Sequence, residues 1–430
     1  MKEKNKLTSL ERSWILYDVG NSAFSLIIAT LIPIFFNALA DSAGVHEDLY
    51  LSYWGYAGSI ATILVALIGP VCGAIADRKN KRGIFLACLL VGVIGCGLLG
   101  TMSGWLGFLA MFILARVGYS ASIVFYDSML PEVTSPNRMD KVSSLGYAYG
   151  YIGSVIPFVL CLVLVLMGDS FGISQGTAMA IAFVITSLWW IGCSMPLLKH
   201  YRQTAYQAPT KTPVKDAFRQ LFGTLKAAKQ EKHIFLYLLS FFFFIDGVYT
   251  IIDMATAYGA ALGLDTTGLL LALLWTQIVA FPFAILFGRL SAKYDTGRLI
   301  KVCILSYTGI TLFGIFLVSQ WQFWVLATLV GMFQGGIQAL SRSYLGKIIP
   351  AERSGEFYGL MDIFGKGASF MGLLMASLVS QFTAGITVDV FGVTLQNENL
   401  AVGSLIILFI IGYILFCKAD QLNLARSAKE

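Results

Sequence analysis

Long apolar runs alternate with short polar connections along the whole chain. Twelve runs fall at 14–40, 53–76, 83–102, 105–130, 142–167, 178–198, 234–257, 269–291, 299–319, 323–349, 357–382 and 400–416. Each spans about the 20 residues that a helix needs to cross a bilayer. The polar residues inside these runs are spaced so that they share helical faces. In the first run Asp18, Asn21, Ser22 and Ser25 stand at i, i+3, i+4 and i+7, and in the seventh Asp246, Tyr249, Thr250 and Asp253 do the same. The fourth carries Arg116, Tyr119, Ser120 and Asp127 on one face, and the tenth Gln334, Gln338, Ser341 and Arg342. The eighth adds Trp275, Thr276 and Gln277 as an aromatic and amide wall. In the eleventh, Asp362 and Lys366 are four apart and can pair directly. Ionisable groups in hydrocarbon are costly and normally face a cavity or a partner. These faces are therefore expected to line a cavity; polar helix packing, and for Arg116 a static ion pair, are the competing roles.

Charge fixes the expected orientation. Of 430 residues, 57% are hydrophobic and 13% charged, against about 25% charged in soluble proteins. The connections at 41–50, 101–104, 168–177, 258–268, 320–322 and 383–399 contain no Lys or Arg, so nearly all cations fall on the other side. By the positive-inside rule both termini are cytoplasmic. The net charge of +6 is thus a membrane-surface feature, and nucleic-acid binding is not expected. A cleaved leader is not expected either, because the first apolar run is too long and carries Asp18 and Asn21. The seven cysteines lie in or beside apolar runs without a C-x-x-C, and the three histidines lie outside the runs, so neither a metal centre nor a histidine relay is expected. Gly95-x-Gly97-x-x-Gly100 sits inside an apolar run and follows no strand; it reads as helix packing, not a dinucleotide loop. No nucleophile motif or phosphate loop stands at credible spacing, so an enzyme is not expected, and no cofactor is implied.

The chain also repeats itself. Gly73-Ala-Ile-Ala-Asp77-Arg78-Lys-Asn-Lys-Arg82 links the second and third runs, and a partial echo, Gly288 to Arg298, links the eighth and ninth, 215 residues on. The echo has Ala292 in place of the Asp and two extra residues. Between the halves, eight Lys or Arg and a helical apolar spacing over Val214, Phe218, Leu221, Phe222 and Leu225 predict a basic amphipathic helix on the inner leaflet.

The Gly73–Arg82 segment resembles the G-x-x-x-D-R-x-G-R-R loop of the major facilitator superfamily. Trp14-x-x-Tyr17-Asp18-x-x-Asn21-Ser22-Ala23-Phe24 is similar to the signature of its bacterial "unknown major facilitator" branch, related to the fungal vacuolar effluxer that releases amino acids after autophagy. Matches continue through Leu130-Pro131-Glu132-Val133, Asp246-Gly247-Val248, Gly335–Ser343 and Glu356-Phe357-Tyr358-Gly359. The resemblance implies an all-α membrane protein with twelve transmembrane helices in two pseudo-symmetric six-helix bundles, 1–198 and 234–430, joined by the linker 199–233. It implies secondary transport of a small solute by alternating access across the cell membrane, with helices one, four, seven and ten lining the cavity.

Five buried acids (Asp18, Asp127, Asp246, Asp253, Asp362) face three bases (Arg116, Arg342, Lys366). An excess carboxylate suits a coupling proton or a substrate ammonium, and an arginine suits a carboxylate. The expected cargo is an amino acid, with proton linkage. Asp18, Asn21, Arg116, Tyr119, Asp127, Asp246, Tyr249, Asp253, Trp275, Gln338 and Arg342 are the expected substrate or proton positions. Gly73, Asp77, Arg78, Arg82, Asp362 and Lys366 are the expected gate. Partners are membrane lipids, the solute and protons, acting on a monomer. Efflux of amphipathic drugs or lipids, suggested by the 31 Phe and 8 Trp, and a non-transporting scaffold or receptor are the alternatives.

Overall fold

In the computed structural model, residues 6–46, 49–78, 80–207, 231–383, 386–390 and 393–427 are described. The predicted amphipathic helix of the linker, with Val214 to Leu225, lies outside the described residues. The first predicted run forms two helices, α1 (Ser9–Ile28) and α2 (Leu31–Ser42), where one was expected. Thr30 leaves the helical conformation, and its hydroxyl donates to the Leu26 carbonyl at 2.7 Å. Pro33 then has no N–H to offer the Ala29 carbonyl, so the helix breaks there. At its start α1 has a capping box, in which Thr8 and Glu11 satisfy each other's backbone N–H.

The chain continues as α3 (Tyr50–Ala76), α4 (Lys81–Leu98), α5 (Trp105–Ser128), the single turn α6 (Leu130–Val133), α7 (Pro136–Met167) and α8 (Gln175–His200). After the linker come α9 (Lys232–Ala261), α10 (Thr266–Leu290), α11 (Thr296–Ile315), α12 (Gln320–Ile348) and α13 (Ser354–Phe382). A short antiparallel hairpin, β1 (Val388–Val390) and β2 (Val393–Leu395), precedes α14 (Asn397–Ser404) and α15 (Ile406–Ser427). Among the described residues, eleven helices are long and apolar enough to cross a membrane. With α13, 29 residues long, they account for the twelve predicted runs. Several helices outrun their apolar stretch: α7 starts at Pro136, which needs no N–H in a first turn, and carries Asp140 into the helix before hydrocarbon begins.

Two compact units result. The first comprises Met1–Ser135, Tyr149–Leu221 and Pro350–Gly359; the second comprises Pro136–Ala148, Phe222–Ile349 and Leu360–Glu430. The division departs from a cut at the linker in two places: the first turns of α7 belong to the second unit and those of α13 to the first. In the first unit, α1 packs on α8, and α4 on α5 and α8. Trp14 stacks on Tyr126 (4.3 Å between centroids) and donates its indole N–H to the Tyr126 carbonyl, while Phe24 stacks on Trp190. In the second unit, α9 packs on α15, and α10 and α11 on α12. Tyr237, Tyr344 and Phe416 cluster there, and Tyr307 stacks on Phe409. Leu106, Leu166 and Leu188 lie exposed, as apolar side chains facing hydrocarbon should.

Glycines set the closest crossings. Gly118 of α5 lies directly against the backbone of Gly92 on α4, and Gly100 against Ala180. Gly95 packs on Ala115, so the glycine-rich stretch of the third run serves helix contact. Gly118→Leu is expected to force α4 and α5 apart at a cost of about 1–3 kcal/mol. It should lower the thermal melting midpoint of the purified protein, whereas Gly192→Ala, with no atom within 4 Å of the added methyl, should leave it unchanged.

Candidate functional site

Three groups of polar residues stand out, one at membrane depth in each unit and one at the end of α3. In the first unit the stripe of α1 is buried at Asp18 and Asn21. The Asn21 amide donates to Asp18 Oδ1 (3.3 Å) and to the Tyr17 carbonyl (3.2 Å). Ser22 sits against Gly150 of α7, so part of the stripe is a packing surface. The Tyr119 side chain of α5 lies within electrostatic reach of Asp18, Arg116 and Asp127. The Arg116 guanidinium lies 5.8 Å from the Phe112 ring centroid, itself stacked on Trp54 at 4.3 Å. The structure thus brings together Asp18, Asn21, Arg116, Tyr119 and Asp127 from α1 and α5.

In the second unit, Asp246 is fully buried on α9. Its Oδ1 accepts from the Gly372 N–H of α13 (3.0 Å) and from the Thr250 hydroxyl (3.2 Å). A Cβ at position 372 would collide with that carboxylate and hydroxyl, so only glycine lets α13 come this close. Oδ2 is buried and has no hydrogen-bond partner among the described residues. The rest of the stripe diverges: Tyr249 is half-buried and Asp253 exposed, a departure from five buried acids. Helix α9 turns Asp246 and Thr250 onto α13 but leaves Asp253 one more turn along, uncovered. Trp275 is 40% exposed, with its indole N–H on the Thr328 hydroxyl. Gln334 is buried and Gln338 half-buried. Arg342 is 3% exposed; its Nε donates to Ser143 Oγ and its Nη2 to the Ser143 carbonyl, both at 2.9 Å, over the Tyr147 ring at 4.3 Å.

The third group is the densest. Asp77 follows α3, and its two oxygens accept the backbone N–H groups of Gly355 (2.9 Å) and Glu356 (3.0 Å) in the first turn of α13. It thereby caps a helix remote in sequence, where unpaired N–H groups and the helix dipole favour an anion. Gly73, one turn earlier, touches the Gly355 carbonyl. Lys81 is wholly buried, with Nζ on Glu132 Oε1 (2.8 Å), Ser354 Oγ (2.9 Å), the Ser128 carbonyl (3.3 Å) and Asp77 (3.4 Å). Glu132 in turn accepts from the Tyr201 hydroxyl and from the backbone N–H groups of Thr204 and Ala205. Gln203 joins the Lys81 N–H to the Ala76 carbonyl, and the Gln207 N–H reaches the Asp77 carbonyl at 2.7 Å. The start of the linker is therefore strapped onto this group.

Of the expected gate, Gly73 and Asp77 are central here, while Arg78 and Arg82 are half-buried beside them. Asp362 is half-buried, and the side chain of Lys366 lies outside the described residues. Lys81, Glu132, Ser354 and Gln203 carry no role in the sequence reading. Lys81 stands inside the Gly73–Arg82 segment and Glu132 inside Leu130–Val133, so both were visible as matches; nothing in the spacing announces Gln203.

The description "Vacuole effluxer Atg22 like" fits a family model that matches residues 47–429. The chain belongs to that family. It is 38% identical over 416 residues to the "Uncharacterized MFS-type transporter YxiO" of Bacillus subtilis, covering 95% of this chain and 94% of the relative. It is 23% identical to "Autophagy-related protein 22" of Saccharomyces cerevisiae over 86% of this chain and 74% of that one. Among solved structures it resembles the outward conformation of the facilitator FucP, with a TM-score of 0.70, 13% identity and coverage of 96% and 97%. The human organic anion transporter MFSD10 gives 0.69, 13%, and 95% and 98%. The Atg22-like chain is thus a facilitator transporter by family and by fold, and not an enzyme.

In this Atg22-like protein, burial pushes the Asp77 carboxyl up to about 6, against the pull of Lys81 and of the two amide N–H groups, with Glu356 adding to the rise. A raised acid binds its proton more tightly folded than unfolded, so its stabilising contribution is full below the unfolded value and is lost as pH rises through the folded one. The melting midpoint of the parent relative to Asp77→Asn should therefore fall as pH is raised from about 4 to about 7.

Proposed function

We propose that this transporter is a secondary carrier of amino acids, coupled to protons and working by alternating access in the cell membrane, with both termini cytoplasmic. The observation that carries the reading is Asp246, a buried carboxylate of which one oxygen has no partner among the described residues. A coupling proton or a substrate ammonium would satisfy it. Arg116, beside Tyr119 and Phe112, offers a guanidinium that suits a substrate carboxylate. The resemblance of the Trp14–Phe24 segment to a branch related to the amino-acid-releasing vacuolar effluxer supports amino acids, and the word "effluxer" in the family description supports export. The distribution of Lys and Arg among the connections supports the orientation.

Asp77, Gly73, Arg78 and Arg82 act as a gate in this reading, because carriers that alternate need contacts made in one state and broken in the other. The capping of α13 by Asp77 supports this reading, because a shift of α13 would break it.

Asp246→Asn and Arg116→Ala are each expected to lower pH-dependent amino-acid flux into proteoliposomes by at least about tenfold, the size of effect of losing one charge-assisted contact. Unchanged flux in both variants would reject the assignment. A thermal-shift screen in which lipophilic cations stabilise the protein and no amino acid does would favour drug efflux instead.

A further inference from the structure

The second unit holds a narrow cleft that takes no part in the transport reading. It lies between α9, α11, α12 and α14, next to the connections without Lys or Arg, and encloses about 380 Å³ with its open mouth. Helix α9 supplies Ile251, Met254, Ala255 and Tyr258, at i, i+3, i+4 and i+7; α14 supplies Val402, with Leu405 just past its end. On α9 this face is turned by about a third of a turn from the stripe of Asp246, Thr250 and Asp253, since each residue advances a helix by about 100°. The walls are apolar, and Thr311 spends its hydroxyl on the Tyr307 carbonyl at 2.8 Å. The mouth differs. Glu398 precedes Val402 by four residues and Leu405 by seven, so it stands on the same face, one turn nearer the start of α14. Its Oε2 is buried and has no hydrogen-bond partner among the described residues. The Tyr258 hydroxyl lies within electrostatic reach of Glu398 but gives its proton to the Gly314 carbonyl at 2.7 Å. The Asn399 amide donates to the Tyr258 oxygen and to the Ile315 carbonyl, both at 2.9 Å. The nearby donors are thus spent. The stretches 234–288, 302–341 and 367–417, which build this part of the unit, contain no Lys or Arg.

We propose that this cleft binds a single-chain amphiphile with a primary ammonium head, its alkyl chain between α9 and α14 and its N–H groups on Glu398. An alkyl chain matches the apolar walls, and the ammonium brings both things that the carboxylate lacks, a donor and an opposite charge. A phospholipid matches less well. Its phosphate would stand beside Glu398 with no cation in these stretches to meet it, and a narrow cleft has room for one chain. The site is separate from Asp246, so it does not depend on amino acids being the cargo.

The test uses the full-length protein in phosphatidylcholine nanodiscs and a dodecylamine with a photoreactive diazirine on its tail. Mapped by mass spectrometry, the label should fall on peptides containing 251–258 or 402–405. Unlabelled dodecylamine should compete at least about tenfold better than dodecanol, which has the chain without the charge. Glu398→Gln should weaken probe binding at least about tenfold, the size of effect of losing one charge-assisted hydrogen bond. Gly314→Leu should abolish labelling, because a Cβ at 314 points at Val402 and Leu326 across the cleft, 3.5 and 3.9 Å away. If Gly314→Leu fails to fold, Glu398→Gln carries the test. Asp246→Asn should keep the label in place. Equal competition by dodecanol, or binding unchanged in folded Glu398→Gln, overturns the site. Binding lost in Asp246→Asn and kept in Glu398→Gln also overturns it, and assigns the amphiphile to the transport route as cargo. Phosphatidylethanolamine added to the bilayer should not displace the probe; displacement would make the occupant a phospholipid and overturn the single-chain assignment.

Discussion

Charge next to hydrocarbon has to be met by other protein groups, and most of the polar architecture follows from that requirement. Lys81 shows its force. The ammonium is wholly buried, and removing it from water costs several kcal/mol unless oxygens replace the lost hydration. Two carboxylates, a hydroxyl and a carbonyl do so. Those oxygens come from four segments, so meeting one charge also fixes the end of α3, the turn after α5, the start of α13 and, through Glu132, the beginning of the linker.

The same requirement is met differently at membrane depth. Asp18 is paired with an amide and shares the surroundings of Tyr119 with Arg116, whereas Asp246 receives one backbone N–H and one hydroxyl and keeps an oxygen without a partner among the described residues. That incompletely satisfied oxygen is the feature on which the proposed role of Asp246 rests. Glycine at 372 makes this possible by letting a helix backbone serve as a ligand to a side chain on its neighbour.

The segments Gly73–Arg82 and Gly288–Arg298 echo each other and differ where charge is concerned. The glycines that permit close approach persist at the same offset, Gly73 and Gly288. The acid does not. Packing depends on volume and tolerates little change, while an ion pair can be built from either side so long as both members remain.

Element existence, the number of spans and the family were legible in the sequence because apolar length and helical spacing act locally. The stripes of α1 and α5 were legible for the same reason, and the two helices do meet where Phe24 packs on Tyr119. Spacing could not reveal which member of a stripe would be covered: Asp246 meets α13, but Asp253, on the same predicted face, is exposed. Nor could it show that Arg342 reaches Ser143, nearly 200 residues away in the chain. By itself the sequence determined that this chain crosses a membrane repeatedly as two related halves with charged faces, since those properties depend on hydropathy and on a helical period of about 3.6 residues. Only the tertiary structure decided which charges are paired, capped or left waiting, because hydrogen bonds form within about 3 Å and their partners here come from distant segments.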